Sequence, residues 1–287
     1  MKLIRFGEAG KEKAGIQDAA GRNLDCSIFG EDWNEVFFAS EGLDRLRVWL
    51  VENQNSLKEI PANARIGSSI ARPSKIICVG LNYRKHAEEA GMAVPEVPII
   101  FMKATSSLCG PFDPILIPKN SVQTDWEVEL AIVIGKRAKY VSVENAMDYV
   151  AGYCLHNDVS ERDFQLRHGG QWVKGKSADN FAPLGPVLVT KDEIADPHNL
   201  RLWLKLNGKI LQDSNTSDLI FDLPTIVSHI SQYMTLLPGD VISTGTPAGV
   251  GMGLKPEPKY LQPGDIVELG IDGLGWSRQV AMIDPEA

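Results

Sequence analysis

Apolar residues recur along the chain in short runs, and most of these runs read as strands. Lys75–Gly80, Val97–Lys103, Trp126–Gly135, Gly152–Asn157, Pro183–Thr190 and Leu202–Leu206 are each bounded by turn-forming residues. Asn207-Gly208 is a favoured two-residue hairpin turn. Helical spacing is clearest over 219–237. There Leu219, Leu223, Ile226, Ile230, Tyr233 and Leu237 fall on one face, and Pro224 sits in the first turn after Asp222. Shorter helices are predicted over Arg84–Gly91, closed by Gly91, and over Ser142–Ala151. Leu237-Pro238-Gly239-Asp240-Val241 and Gln262-Pro263-Gly264-Asp265-Ile266 repeat one turn chemistry without any solenoid period. Strands do not alternate with long helices, which disfavours a doubly wound parallel sheet.

The opening segment has a different texture. A strand (Lys2–Phe6) leads into a turn-rich stretch, Gly7–Gly30, and then a helix begun by Ser40 with Leu43, Leu46, Trp49 and Leu50 on one side. Ala71-Arg72-Pro73-Ser74 reads as a linker. We therefore expect a small N-terminal α+β domain over 1–70 and a larger, mainly β domain over 71–287.

Composition narrows the function classes. The 287 residues carry 29 Lys+Arg against 37 Asp+Glu, a net charge of -8, which disfavours nucleic acid and acidic membranes as partners. The longest central apolar run, Leu130-Ala131-Ile132-Val133-Ile134, is far too short to span a bilayer, and the N-terminus lacks a signal peptide's apolar core. Cys26, Cys78, Cys109 and Cys154 form no Cys-x-x-Cys pair, so we expect free thiols in a reducing cytoplasm rather than a cysteine zinc site.

Five stretches could carry chemistry. In Asp125-Trp126-Glu127-Val128-Glu129, strand alternation points Glu127 and Glu129 the same way, onto a face that turns apolar at Ala131 and Val133. Two like charges there need a cationic partner such as a metal ion, unless both lie in water at a strand end. Asp158 closes the next apolar strand. It is either a helix cap or a third ligand, and three carboxylates would select Mg²⁺ or Mn²⁺. His86 and Glu89, three apart on a predicted helix, share a face and could form a general-base pair or a surface contact. Lys176, in Gly175-Lys176-Ser177, is either an oxyanion-stabilising cation or a loop lysine. Thr244-Gly245-Thr246-Pro247-Ala248-Gly249-Val250-Gly251 is not a dinucleotide or nucleotide fingerprint, and Pro256 and Pro258 forbid the helix such sites need. It could offer backbone N–H groups and the Thr246 hydroxyl to a carboxylate, or be a structural turn. His156 shares a strand face with Asp158 and is as well read as a packing residue.

The order of these pieces resembles the fumarylacetoacetate hydrolase family. It runs from Val79-Gly80-Leu81-Asn82-Tyr83-Arg84-Lys85-His86-Ala87-Glu88-Glu89 through Phe101-Met102-Lys103, Glu127-Val128-Glu129-Leu130 and Asn157-Asp158-Val159-Ser160-Glu161-Arg162-Asp163-Phe164-Gln165. Gly175-Lys176-Ser177 and the Thr244–Gly251 loop complete it, so that it covers about residues 73 to 280. The resemblance implies a mixed β-sandwich roll, a homodimer or higher homo-oligomer, and Mg²⁺ or Mn²⁺ on Glu127, Glu129 and Asp158. It implies His86 and Glu89 on a lid helix, Lys176 in the active site, and Tyr83, Lys103, Arg162, Gln165 and Thr246 toward substrate. Leu81, where many members carry Arg, and Asn180, where Thr is common, depart from the pattern. The implied substrate is a 2-oxo acid. The implied reaction is hydrolysis of a 2,4-dioxo acid to pyruvate and a second acid. Arg167-His168-Gly169-Gly170-Gln171-Trp172-Val173-Lys174-Gly175-Lys176 resembles members that act on 2,4-dioxo-3-deoxy-L-fuconate or L-rhamnonate and release lactate. The alternatives are a 2-hydroxyhepta-2,4-diene-1,7-dioate isomerase, an oxaloacetate decarboxylase, or a non-catalytic carboxylate-binding module. A short helix followed by Pro95 and Pro98 predicts that residues 84–98 are mobile without ligand.

Overall fold

A computed structural model describes all residues, 1–287. Two sheets carry the molecule. The larger has nine strands, in the order Asn23–Asp25, Lys13–Gln17, Lys2–Phe6, Leu188–Thr190, Val150–Asn157, Val128–Ile134, Val241–Ser243, Ile76–Gly80 and Ile99–Lys103. The smaller has five, in the order Lys209–Asn215, Arg201–Leu206, Ile266–Ile271, Gly275–Ile283 and Ile115–Ile117. Both mix parallel and antiparallel pairs: Val241–Ser243 lies parallel to Ile76–Gly80 and antiparallel to Val128–Ile134. This is the sheet-rich α+β architecture expected.

Alternation builds the core. In Arg201–Leu206, Leu202, Leu204 and Leu206 are buried while Arg201 is exposed, so one face of the small sheet is apolar. These leucines pack with Ile77, Val79, Leu130, Ile132, Tyr153 and Leu155 from the large sheet and with Ile226 and Ile230. The opposite face of the large sheet presents Ala131, Val133 and Cys154 to Phe37, Leu46 and Trp33. The strands of residues 1–70 thus continue the large sheet, and one apolar cluster joins them to residues beyond the linker.

Helices are shorter than the spacing predicts. The 219–237 pattern becomes Leu223–Tyr233, because Asp222 caps the Thr225 N–H and Pro224 fixes the first turn. Ser142–Ala151 is a single 3₁₀ turn, Ala146–Tyr149, before the Val150–Asn157 strand begins. Ser40 does not N-cap the helix that follows it. It ends a helix over Glu35–Ala39, and Gly42–Asn53 starts after Glu41, whose φ of 56° breaks the run. Both residues of Asn207-Gly208 have positive φ, as the hairpin requires.

Candidate active site

Glu127 and Glu129 stand at the head of the Val128–Ile134 strand, and Asp158 follows its antiparallel neighbour, Val150–Asn157. The register pairs His156 with Glu129 and Asn157 with Val128, which brings the third carboxylate across to the first two. One oxygen from each of the three lies within 4.8 Å of the others, and all three residues are buried. Three buried carboxylates cannot stand unneutralised. Lys176 Nζ bridges Glu127 Oε2 at 2.7 Å and Asp158 Oδ2 at 2.9 Å. Lys103 Nζ donates to Asp158 Oδ1 at 2.5 Å and to the Val159 carbonyl at 3.0 Å. Arg162 Nη2 lies 2.7 Å from Glu127 Oε1 without an aligned hydrogen bond, while its Nε donates to Asp125.

The three acids are not equivalent. Burial, then the charges of Asp158 and Glu127, push Glu129 well above the usual carboxylate range. Burial would raise Asp158 too, but Lys103 and Lys176 outweigh it and hold that carboxyl well below its ordinary value. Burial alone would lower Lys176, yet Asp158 and Glu127 keep it charged and raised. All candidate donors are oxygen, and two of the three carboxylates line an open pocket. That set fits a hard divalent cation such as Mg²⁺ or Mn²⁺, which could be held by Glu127, Glu129 and Asp158.

Across the pocket, the short helix Arg84–Glu89 presents His86 Nδ1 3.1 Å from Glu89 Oε2. His86 Nε2 has no protein partner. The Glu89 carboxylate in turn accepts from the Gly249 N–H at 3.0 Å. His86, Glu89, Glu127, Glu129, Arg162, Gln165, Lys176 and Thr246 all line one cavity of about 340 Å³. Its outer part is apolar, with Phe101, Leu166, Trp172 and Met252.

The family described as fumarylacetoacetate (FAA) hydrolase C-terminal matches residues 75–280. The chain belongs to the fumarylacetoacetate hydrolase family. A Burkholderia cenocepacia family relative whose name goes no further than hydrolase is 52% identical, over 97% of this chain and 98% of its own. Among solved structures, a fumarylacetoacetate hydrolase from Exiguobacterium antarcticum superposes with a TM-score of 0.86 at 37% identity, over 99% of this chain and 100% of the other. A 5-carboxymethyl-2-hydroxymuconate delta-isomerase from Mycobacterium smegmatis gives 0.75 at 34%, with 99% of each chain covered. A maleylpyruvate hydrolase from Sphingobium sp. SYK-6, in complex with manganese(II) and pyruvate, gives 0.81 at 30%, again over 99% of each. Fumarylacetoacetate hydrolase relatives of this chain thus include both hydrolases and an isomerase.

Not every residue expected at the site reaches the pocket wall. Lys103 is fully buried beneath Asp158 and does not line the cavity. Tyr83 is also fully buried, packed in the inter-sheet core with its hydroxyl unpartnered. Thr246 lines the cavity, but its hydroxyl is committed, accepting from Gln212 Nε2 and donating to the Val128 carbonyl. The glycine-rich loop does offer N–H groups to carboxylates, and those carboxylates are the protein's own. Gly245 donates to Glu129, Gly249 to Glu89, and Gly251 and Met252 to Asp125. No helix is long and apolar enough to cross a membrane.

Asp125 is the member that sequence reasoning missed. Fully buried, it joins Arg162 to the loop by four hydrogen bonds from Arg162 Nε and the N–H groups of Trp126, Gly251 and Met252. Its signal was present: it has the same strand parity as Glu127 and Glu129. Gln212 and Asn157, which hold the Val128 and Glu127 N–H groups, carry no comparable signal.

Proposed function

We propose that this protein is a divalent-metal-dependent hydrolase that cleaves the C3–C4 bond of a 2,4-dioxo acid, giving pyruvate and a second carboxylic acid. The observation that carries the reading is one cavity lined by Glu127 and Glu129 of the carboxylate triad, by the His86–Glu89 pair and by Lys176. A cation held by Glu127, Glu129 and Asp158 supplies Lewis acidity to the oxygens of a 2-oxo acid. His86, fixed through Nδ1 by Glu89, takes a proton from water at Nε2. The hydroxide adds to the C4 carbonyl, and the Lys176 ammonium steadies the oxyanion. The C3–C4 bond then breaks with its electron pair passing to C3, and the His86 imidazolium returns its proton there. One water is consumed, and C4 leaves as a carboxylic acid.

The Sphingobium relative supports the reading, since its structure holds manganese(II) and pyruvate. The narrower substrate, a 2,4-dioxo-3-deoxy sugar acid yielding lactate, rests on the Arg167–Lys176 stretch. That stretch carries Trp172 and Lys176 to the cavity. The test is pyruvate release from 2,4-dioxopentanoate and from the sugar acid, with Mg²⁺ and with EDTA. Metal-dependent pyruvate from either supports C–C hydrolysis, and the ratio of rates decides the sugar-acid question. No pyruvate from either, in a protein that binds Mg²⁺, transfers the assignment to an isomerase, a decarboxylase or a binding module.

A further inference from the structure

Behind Glu129 lies a buried polar chain that the reaction outlined above does not use. Ser243, on the Val241–Ser243 strand, places its Oγ 2.5 Å from Glu129 Oε2. His156, on the Val150–Asn157 strand, places Nδ1 2.7 Å from the same Ser243 Oγ. All three residues are at most 2% exposed. Glu129 Oε2 also accepts from the Gly245 N–H at 2.9 Å, and Oε1 has no protein donor. A metal-ligating carboxylate must be ionised and can then only accept. Ser243 has one hydroxyl proton, so it donates to Glu129, and His156 must therefore donate Nδ1–H to Ser243. This fixes the His156 tautomer and leaves Nε2 as a bare acceptor, and that atom is buried without any partner. An imidazole with one nitrogen unmatched in the core costs stability that an apolar side chain of similar shape would keep. Its presence asks for a reason other than packing.

We propose that His156 and Ser243 are positioning residues for the cation site. The chain His156 Nδ1–H to Ser243 Oγ–H to Glu129 Oε2 pins one oxygen of Glu129 and turns the other toward Glu127 and Asp158. Outer partners of this kind set ligand orientation and change metal affinity about 10–100-fold. The inference rests on the reading that the carboxylate triad holds a divalent cation.

The experiment measures Mn²⁺ affinity by the loss of the free-ion electron paramagnetic resonance signal, with no substrate present. Wild type, Ser243→Ala, Ser243→Thr and His156→Asn are compared at one pH, with far-UV and near-UV circular dichroism as the fold control. Ser243→Ala is expected to weaken Mn²⁺ binding about 10–100-fold. Ser243→Thr keeps the hydroxyl and restores affinity, and His156→Asn, whose amide can donate from near Nδ1, retains most of it. His156→Leu should weaken binding, and combining it with Ser243→Ala should add nothing further, because the two residues act as one chain. If folded Ser243→Ala binds Mn²⁺ within twofold of wild type, the positioning role is overturned while the metal reading stands. Should wild type itself bind no Mn²⁺, the metal reading fails and this inference with it. Should Ser243→Ala not fold, the Ser243→Thr and His156→Leu pair decides: equal affinities in the two overturn the proposal.

Discussion

Glu89 accepts a hydrogen bond from the backbone N–H of Gly249, 160 residues further along the chain. The same carboxylate meets His86 Nδ1, so one side chain both orients the imidazole and docks its helix on the glycine-rich loop. Gly253 completes the seat, because a Cβ there would overlap the Glu89 carboxylate. A helix of six residues has little stability of its own, and this contact ties it to the glycine-rich loop. Glu89→Ala should therefore lower kcat by about 10²–10⁴-fold, the usual worth of a positioned general base. Amide exchange over residues 84–98 should rise while Mn²⁺ affinity stays unchanged. Strong protection of residues 84–91 in that variant would show that other contacts dock the helix.

Metal dependence should be legible in stability as well as in activity. Glu129 has its folded-state pKa raised, by burial first and then by Asp158 and Glu127. A raised acid contributes stability that is full below its unfolded value and is lost as pH rises through its folded value. Asp158 has the opposite sign, since Lys103 and Lys176 outweigh burial, and its contribution is lost only as pH falls. Above the ordinary carboxylate range the metal-free protein thus loses stability with pH, in the same window where the ligands become ready for a cation. Mg²⁺ or Mn²⁺ at about a hundredfold over Kd should stabilise by ~2.7 kcal/mol. The resulting rise in Tm should be larger at high pH than at low pH and absent in Glu129→Ala. Identical responses of wild type and variant would remove the triad from the metal site.

Lys103 tests how far the buried ion cluster supports the fold. Its ammonium is fully enclosed, and Asp158 and the Val159 carbonyl are its only polar partners. Lys103→Met removes the cation but leaves Asp158 buried with Lys176 alone, and breaking such a pair typically costs about 3–5 kcal/mol. The urea midpoint should fall accordingly, with the slope unchanged. A midpoint shift corresponding to under about 1 kcal/mol would mean that Lys176 alone suffices to neutralise Asp158.

How much of this was legible beforehand depended on what kind of information each feature needs. Strand parity alone put Glu127 and Glu129 on one face, and local spacing alone put His86 beside Glu89, as the structure has them. Bringing Asp158 and Lys176 to that face is a question of tertiary placement, the register of Val150–Asn157 against Val128–Ile134 and the seat of the short helix Val173–Lys176, which periodicity does not encode; the ordered run of motifs supplied it. The same run placed Lys103 against substrate, whereas its ammonium lies under Asp158, because the Ile99–Lys103 edge strand ends pointing into the carboxylate cluster. The helix expected over Ser142–Ala151 failed for a tertiary reason: Val150 and Ala151 begin a buried strand that pairs with Val128–Ile134. Ser40 looked like a helix start because cap residues serve both ends of helical segments; there it donates back to the Val36 carbonyl and closes the preceding one.

Trp172 forms part of the outer wall of the cavity, and the space it fills exists because residue 80 is glycine. A Cβ at Gly80 would come within 2.6 Å of Trp172 Cζ3. The indole also packs edge-on against Phe101 at 5.2 Å, and the Lys176 ammonium lies 4.9 Å from the same Phe101 ring. Trp172 immediately precedes the short helix Val173–Lys176, so its seat fixes both a cavity wall and the start of the segment that delivers Lys176. Gly80→Ala should displace the indole outward, widening the cavity without touching a carboxylate. The expected outcome is a rise in KM for short acyl substituents of about 10-fold, the scale of a lost apolar contact in a pocket. Bulkier 2,4-dioxo acids should be accepted better, and Mn²⁺ affinity should not change. Trp172→Ala should reproduce the substrate shift and additionally lower kcat, because Lys176 loses its anchor. If both variants keep the wild-type order of substrates, Trp172 does not set the acyl pocket, and the wall lies instead with Leu166 and Met252.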